Sequence, residues 1–485
     1  MPDTSDKKKT ALLWFREDLR IAENAALSAA SRYSAVVPVF IRTTQTKMRS
    51  NGAARDWWLH KSLEGLSKSL DELGAPLILA TGDPYVVLGE LAKKCHAETI
   101  LWNRRYGGAA AELDEELADR LTDDGFDVQT FPGALLHDPA AIKTGSGKFY
   151  KVFTPFWKAV ESDLELPDSI PQPDKLSAPS NTPKSEKLSE WNLLPSKPDW
   201  AGGLRDTWTP GEAGAHERLK SFLDGGISGY ASGRDRPDGE NTSRLSPHLA
   251  AGEITPAQIF RALGNASGKG SGSNEDQAIF RKEIGWREFS HHLLVHSPKI
   301  DSENFDDRFD DFPWNDAGDD LGAWQKGMTG YPIVDAGMRE LWQTGWMHNR
   351  VRMIVASFLT KHLLIHWKKG EDWFWDTLVD ADSASNPSNW QWVAGSGADA
   401  APYFRIFNPI IQGEKFDPDG IYVREYVPEI AALPDKYIHH PWDAPNDVLE
   451  DAGITLGETY PKPIVDHKEA RERALSAFDT IKEAS

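Results

Sequence analysis

Residues 380–409 read DADSASNPSNWQWVAGSGADAAPYFRIFNP, and this stretch decides what kind of chain it belongs to. A core helix carries apolar side chains at every third or fourth position. Here Asp380, Asp382, Asn386, Trp390 and Trp392 stand instead among Ala, Ser and Gly. Carboxylates, an amide and indoles on a small-residue backbone are functional groups gathered round a pocket. Two tryptophans flanking one glutamine point to a flat aromatic ligand. A solvent-exposed loop that merely contains tryptophan is the alternative for one Trp-x-Trp pair, and the rest of the chain argues against it.

Working outward, 485 residues exceed one compact core and imply two domains or one with a large helical extension. A formal net charge of -20 excludes nonspecific polyanion binding by the whole surface, because neutralising phosphates takes clustered Lys and Arg. Any nucleic-acid site is therefore local. The segment between Tyr331 and Gly370 offers one, with Arg339, Arg350, Arg352, Lys361, Lys368 and Lys369 facing only Asp335 and Glu340. Cys95 is the sole cysteine, so there is no intrachain disulfide and no four-cysteine metal or iron-sulfur site, as in a reducing compartment. MPDTSDKKKT runs straight into the strand-like ALLWF, and no later stretch has about 18 uninterrupted apolar residues. The expectation is a cytoplasmic monomer that no membrane holds.

Residues 1–135 alternate short apolar runs, at 11–15, 35–41, 76–80, 99–102 and 128–131, with helical patterns. That rhythm predicts an α/β domain with a parallel, Rossmann-like sheet. One helix is predicted over 54–73, where Trp58, Leu59, Leu63, Leu66 and Leu70 recur at helical spacing. No G-x-G-x-x-G follows the first strand, and Gly145-Ser146-Gly147-Lys148 lacks phosphate-loop spacing and reads as a turn. Residues 136–210 form a connector, since seven prolines from Pro167 to Pro198 break any long helix over 161–199. From 211 to 485 the chain reads as mostly α, with an amphipathic helical run over 337–364. His292 and His296 stand four apart without an H-E-x-x-H pattern, and no G-x-S-x-G elbow appears; neither a metal site nor a hydrolase is expected.

Four further segments join the opening one: LLWFREDLRIAENAAL (12–27), SRLSPHLAAGEITP (243–256), WREF (286–289) and TGYPIVDAGMRELWQTGWMHNRVRM (329–353). In this order they make the chain resemble the DNA photolyase and cryptochrome family over nearly its whole length, most of all its bacterial cyclobutane pyrimidine dimer photolyases. The resemblance implies an α/β antenna domain (1–135), the connector (136–210) and a helical domain (211–485) that holds FAD folded into a U. A flavin supplies electrons while the protein supplies orientation and electrostatics.

The resemblance also distributes roles. Tyr230 with Thr242, Ser243, Arg244, Leu245 and Ser246 embraces the FAD phosphates; read alone, Ser243 and Ser246 are equally helix caps. Arg352 lies beside the isoalloxazine, paired with Asp382. Asp380 and Ala381 line the same pocket, Asp380 on its ribityl or adenine side. Asn386 faces flavin N5, where plant cryptochromes tend to carry Asp and animal ones Cys, which favours repair over signalling. Trp286 and Trp392 stack on the lesion, Glu283 hydrogen-bonds it, and Asn349 and Met353 add a polar and an apolar contact. The alternative for Glu283, read from spacing alone, is an ion pair with Arg287, four residues on. Arg234, Arg350 and Gln412 contact DNA. Trp390, Trp367 and Trp314 match a relay for photoreduction, with Trp390 nearest the flavin and Trp314 at the exposed end. Trp57, Trp58, Trp342, Trp346, Trp373 and Trp375 are left as packing.

The function implied is light-driven repair of cyclobutane pyrimidine dimers in DNA. The alternatives are a cryptochrome-type blue-light photoreceptor and a (6-4) photolyase; the latter would carry histidine near Asn349 and Met353, and the former often a long C-terminal tail where this sequence has a short helix over 467–484. A second, antenna chromophore is expected, a folate such as methenyltetrahydrofolate ahead of a deazaflavin. Asn103, Arg104, Arg105 and Tyr106, with residues 148–157, are its candidate walls, although they depart from the Asn-Tyr-x-Tyr-Glu pattern of folate-binding bacterial relatives.

Overall fold

Runs of Val, Ile, Leu and aromatic residues that are apolar on both faces suit strands buried on both sides. In the computed structural model, which describes residues 9–44, 48–266, 272–400, 402–403 and 405–483, they become β1 (Thr10–Phe15), β2 (Ala35–Thr43), β3 (Ile78–Gly82), β4 (Ala97–Asn103) and β5 (Asp127–Phe131). All neighbours pair in parallel, in the order β3-β2-β1-β4-β5. Leu12 is matched to Val37 on one side and Ile100 on the other, which puts the most apolar strand at the centre. The predicted helix 54–73 is the observed Ala53–Leu73, buried through Trp57, Trp58, Leu63, Leu66 and Leu70.

Strand order reverses between β1 and β4, where open α/β sheets commonly bind ligands. Here the protein's own side chains fill that crevice. Asn103 Nδ2 donates to Asp18 Oδ2 at 2.6 Å and to Asn24 Oδ1 at 2.9 Å. Arg16 and Arg105 both hold Asp114, at 3.0 and 2.7 Å, and the Tyr106 hydroxyl accepts from the Gly133 N–H at 3.0 Å. Of the predicted antenna walls around this turn, only Arg104 stays exposed. In the second stretch Phe153, Phe156 and Trp157 are core residues of the helical part. Much of the connector also packs: Leu176 N–H donates to Leu73 O at 2.7 Å, Val36 N–H to Ser177 O at 2.8 Å, and Trp191 lies 6.0 Å from Phe40.

Beyond the connector the described residues are helical apart from isolated bridges. The amphipathic run over 337–364 is not one helix. Pro332–Thr344 ends at Gly345, whose left-handed φ of 68° closes the helix, and Asn349–Ser357 restarts after His348, whose Nδ1 accepts the Arg350 N–H at 3.2 Å. A wider turn over Phe358–His362 follows. The charges of this run therefore leave in different directions. The terminal helix spans His467–Glu483; Ser485 and Ala484 lie outside the described residues.

Two contacts seat the α/β part on the helices. The fully buried Glu253 accepts from Trp58 Nε1 at 3.1 Å, from Gly211 N–H at 2.9 Å, and from Ser62, and pairs with His248 Nδ1 at 2.5 Å. The loop before residue 53 meets the Trp367–Thr377 helix, where a side chain at Gly52 would strike the backbone of Trp375 and Asp376. That helix packs closely on Ser385–Ala394 because Gly370 leaves room for the Trp390 indole. Gly370→Ala should therefore destabilise the protein by about 1–3 kcal/mol, read as a lower calorimetric midpoint. Gly89→Ala, on an open helix face, should instead stabilise by about 0.5–1 kcal/mol.

Candidate functional site

Asp380 lies just ahead of the Ser385–Ala394 helix, and its buried carboxylate needs donors. Arg352 supplies two, Nη1 to Oδ1 at 3.1 Å and Nη2 to Oδ2 at 2.8 Å, while its Nε donates to Met347 O at 2.7 Å. Ser246 Oγ donates to Asp380 Oδ2 at 2.6 Å and accepts from Trp346 Nε1 at 3.3 Å. The Asp380 side chain is 3% exposed and that of Arg352 25%, so one side of the fork remains open to a ligand.

This corrects two expectations. Arg352 is paired with Asp380, not Asp382, because Asp382 Oδ1 takes the N–H groups of Ala384 and Ser385 at 2.8 and 2.5 Å and so serves the free donors at the helix start. Ser246 is not a cap; its hydroxyl belongs to the Arg352–Asp380 cluster. Ala381 is buried between the two carboxylates. Trp346, left as packing by sequence, stands inside the cluster with the Arg244 and Arg352 guanidinium groups 4.9 and 5.8 Å from its ring.

The loop 242–246 enters with Arg244 at a left-handed φ of 50°, a strained state for a side chain of that size and common at functional sites. Ser243 Oγ accepts from the Leu245 N–H at 3.4 Å, and Asn241 ties the preceding turn to Gly226 O and Ser228 O, each at 3.1 Å. Tyr230 is buried against Phe222 and Phe280, and Leu245 is in the same core. On the facing Asn274–His296 helix both ring nitrogens of His291 are shielded and have no partner in the protein, as does Arg287 Nε. Burial and the neighbouring Arg287 push the His291 pKa down to about 3, against the charge of Asp382. Unmatched donors and acceptors beside Asp382 are what a polar ligand would satisfy. Sequence reasoning missed His291, whose only signal is its place five residues after Trp286.

Asn386 turns its amino end to Glu371, donating to Oε1 at 2.7 Å and to the backbone carbonyl at 3.2 Å. Trp390 is buried against Phe374 (4.9 Å between ring centres) and Trp324 (6.1 Å). Trp367 is fully buried and donates to Asn304 Oδ1 at 2.7 Å. Half-buried Trp314 lies 5.0 Å from His366, whose other side is 5.4 Å from Trp367. The structure thus links Trp367 and Trp314 through a histidine that the sequence gave no reason to choose.

The Ser385–Ala394 helix, which carries Trp392, packs on Asn274–His296, which carries Glu283 and Trp286, and on Asn349–Ser357, which carries Asn349 and Met353. Trp286 lies flat on Phe153 at 3.8 Å and 10°. Glu283 accepts from Arg234 rather than Arg287; Arg287 runs to Ala134 O, Leu249 O and Glu288. Arg350 pairs with Asp235 at 2.8 Å, and its guanidinium lies 4.4 Å from the Phe416 ring centre. Gln412 is half-buried in the next helix, Pro409–Phe416. Part of the basic stretch read between Tyr331 and Gly370 is already paired or buried: Arg339 meets Glu429 at 2.7 Å, Lys368 meets Glu371 at 2.6 Å, and Lys361 is buried, its pKa lowered to about 7 by desolvation.

Fold and site together define a two-part protein, a parallel α/β sheet seated on a helical body that carries a polar and aromatic cluster around Arg352 and Asp380. Two family models match it: the DNA photolyase domain over residues 11–176 and the FAD binding domain of DNA photolyase over residues 280–480. The chain is similar to a deoxyribodipyrimidine photo-lyase of Agrobacterium fabrum, 55% identical over 480 residues with 99% of each chain covered. It is 38% identical to cryptochrome-2 of Arabidopsis thaliana over 98% of this chain and 80% of that one. Among solved structures it superposes on a bacterial class III photolyase from Agrobacterium tumefaciens with a TM-score of 0.96, at 54% identity and 99% coverage of both. The chain belongs to the DNA photolyase family, and its cofactor is FAD.

The unmatched nitrogens of His291 and Arg287 and the open side of Arg352 fit such a ligand. Arg352→Ala and Asp380→Ala should each lower the ratio of noncovalent FAD to protein after gel filtration, since losing one partner of a buried pair costs about 3–5 kcal/mol. Unchanged stoichiometry in both would refute the pocket.

Proposed function

We propose that the chain splits cyclobutane pyrimidine dimers in DNA under blue or near-ultraviolet light, with residues 1–135 as antenna domain, 136–210 as connector and 211–485 as FAD-binding domain. What supports this reading is that the Ser385–Ala394 helix, bearing Asn386 and Trp392, packs both on the helix of Glu283 and Trp286 and on the helix of Asn349, Arg352 and Met353. FAD, when bound and reduced, supplies the electron that opens the dimer and recovers it afterwards.

The protein's own groups do the rest. A dimer must leave the duplex stack to be reached, and Trp286 and Trp392 receive it, each stacked base contributing about 1–3 kcal/mol. Phe153 backs Trp286 and keeps its ring flat. Glu283 answers the negative charge that develops on the lesion, for which it must give up Arg234 and take a proton from solvent so that its carboxyl O–H donates to a dimer carbonyl. Arg234 and Arg350 bind the phosphates, with Gln412 beside them, so the DNA displaces the Glu283 and Asp235 partners that the cations hold in the free protein. Trp390, Trp367 and Trp314 carry electrons inward during photoreduction. A second chromophore, a folate ahead of a deazaflavin, belongs to the same reading.

Reduced protein should split thymine dimers on illumination. Trp286→Ala should weaken lesion binding by about 1–3 kcal/mol, whereas Glu283→Ala should chiefly lower repair yield, because it acts on charge that appears only after electron transfer. No splitting by FAD-loaded, reduced protein would favour a photoreceptor; splitting of (6-4) photoproducts alone would overturn the substrate assignment.

Trp390→Phe should block photoreduction of oxidised FAD while repair by chemically reduced protein survives, as repair consumes no net electron. Normal photoreduction in that variant would refute the relay.

A further inference from the structure

Glu371 is fully buried, yet it gathers donors from three separate segments. Arg49 Nη1 donates to both carboxylate oxygens at 2.7 and 2.9 Å, Lys368 Nζ to Oε2 at 2.6 Å, and Asn386 Nδ2 to Oε1 at 2.7 Å. Arg49 lies 322 positions earlier in the chain, in the loop between β2 and the Ala53–Leu73 helix. Residues 49–53 of that loop are firmly seated. Arg49 also holds Asp372 at 2.5 Å and stacks 4.3 Å from the Trp375 ring centre, Ala53 N–H donates to Asp376 Oδ1 at 3.0 Å, and Trp375 Nε1 donates to Ser50 O at 2.8 Å.

The chemistry of Glu371 leaves Asn386 one orientation. A carboxylate is acceptor-only, and so is the backbone carbonyl of residue 371. Both face the Asn386 amide, so its amino end must point toward Glu371 and its carbonyl oxygen away. We propose that Glu371, clamped by Arg49 and Lys368, is the positioning residue that presents the Asn386 carbonyl oxygen to flavin N5. This rests on the reading that places Asn386 at N5. A carbonyl oxygen there accepts from an N5–H and favours the reduced, N5-protonated flavin; an amino group would favour the unprotonated nitrogen of the oxidised form. Through Arg49 the α/β domain thereby sets the redox balance of a cofactor held by the helical domain, separately from any chromophore it carries.

The test uses the full chain loaded with FAD and a dye-mediated redox titration. Glu371→Gln, whose side-chain amide can present a donor and let Asn386 turn, should shift the equilibrium about tenfold toward oxidised flavin, the scale of one charge-assisted hydrogen bond. Arg49→Gln and Lys368→Gln, both at partly exposed positions, should shift it in the same direction by less, and they carry the test if Glu371→Gln does not fold. In an Asn386→Ala background none of the three should add a further shift. If Asn386→Ala moves the potential and the other variants do not, the inference fails while the site reading stands. Shifts that persist undiminished in Asn386→Ala would show that Glu371 acts by charge alone and also overturn it. A potential unmoved by Asn386→Ala would remove Asn386 from N5, and the inference with it.

Discussion

Buried carboxylates at the junctions between segments are the constraint on which this architecture turns. Glu253, Glu371, Asp335 and Asp380 are almost entirely withdrawn from solvent, and an unmatched charge in such a place costs several kcal/mol. Each is matched by at least one donor from a distant part of the chain: Trp58 on Glu253, Arg49 on Glu371, Tyr460 on Asp335 and Ser246 on Asp380. Apolar contact brings helices together but lets them slide. A carboxylate that must meet particular N–H and O–H groups does not.

The pocket inherits its geometry from that rule. Two residues apart on the Asn349–Ser357 helix, and so on roughly opposite sides of it, Arg352 faces Asp380 while Arg350 faces Asp235. Two arginines on one helix thus serve different carboxylates.

Aromatic side chains divide between support and chemistry. Gly370 lets the Trp390 indole lie against the Trp367–Thr377 helix, which also carries Trp367 and Glu371. One helix therefore bears on the relay, on Asn386 and, through Arg49, on the α/β domain. His366 at its N-terminus bridges Trp314 and Trp367, and burial lowers its pKa.

Much was legible in the residues themselves. The five strands and the helix ending at Leu73 follow from periodicities within a few positions, which backbone geometry converts directly into elements. The pocket's residue types in 380–409 were equally plain, since Asp, Asn and Trp on a small-residue backbone have little use in a core. What tertiary structure alone decided was pairing. Asp380 and Asp382 are indistinguishable by spacing, and only the start of the next helix, claiming Asp382 for its free N–H groups, left Asp380 to Arg352. Glu283 took Arg234 across space instead of Arg287 on its own helix, and Glu371 took an arginine from the other end of the chain. A local pattern states which faces are buried; which charge meets which depends on where separate segments come to rest, and that is settled only when all buried charges are matched at once.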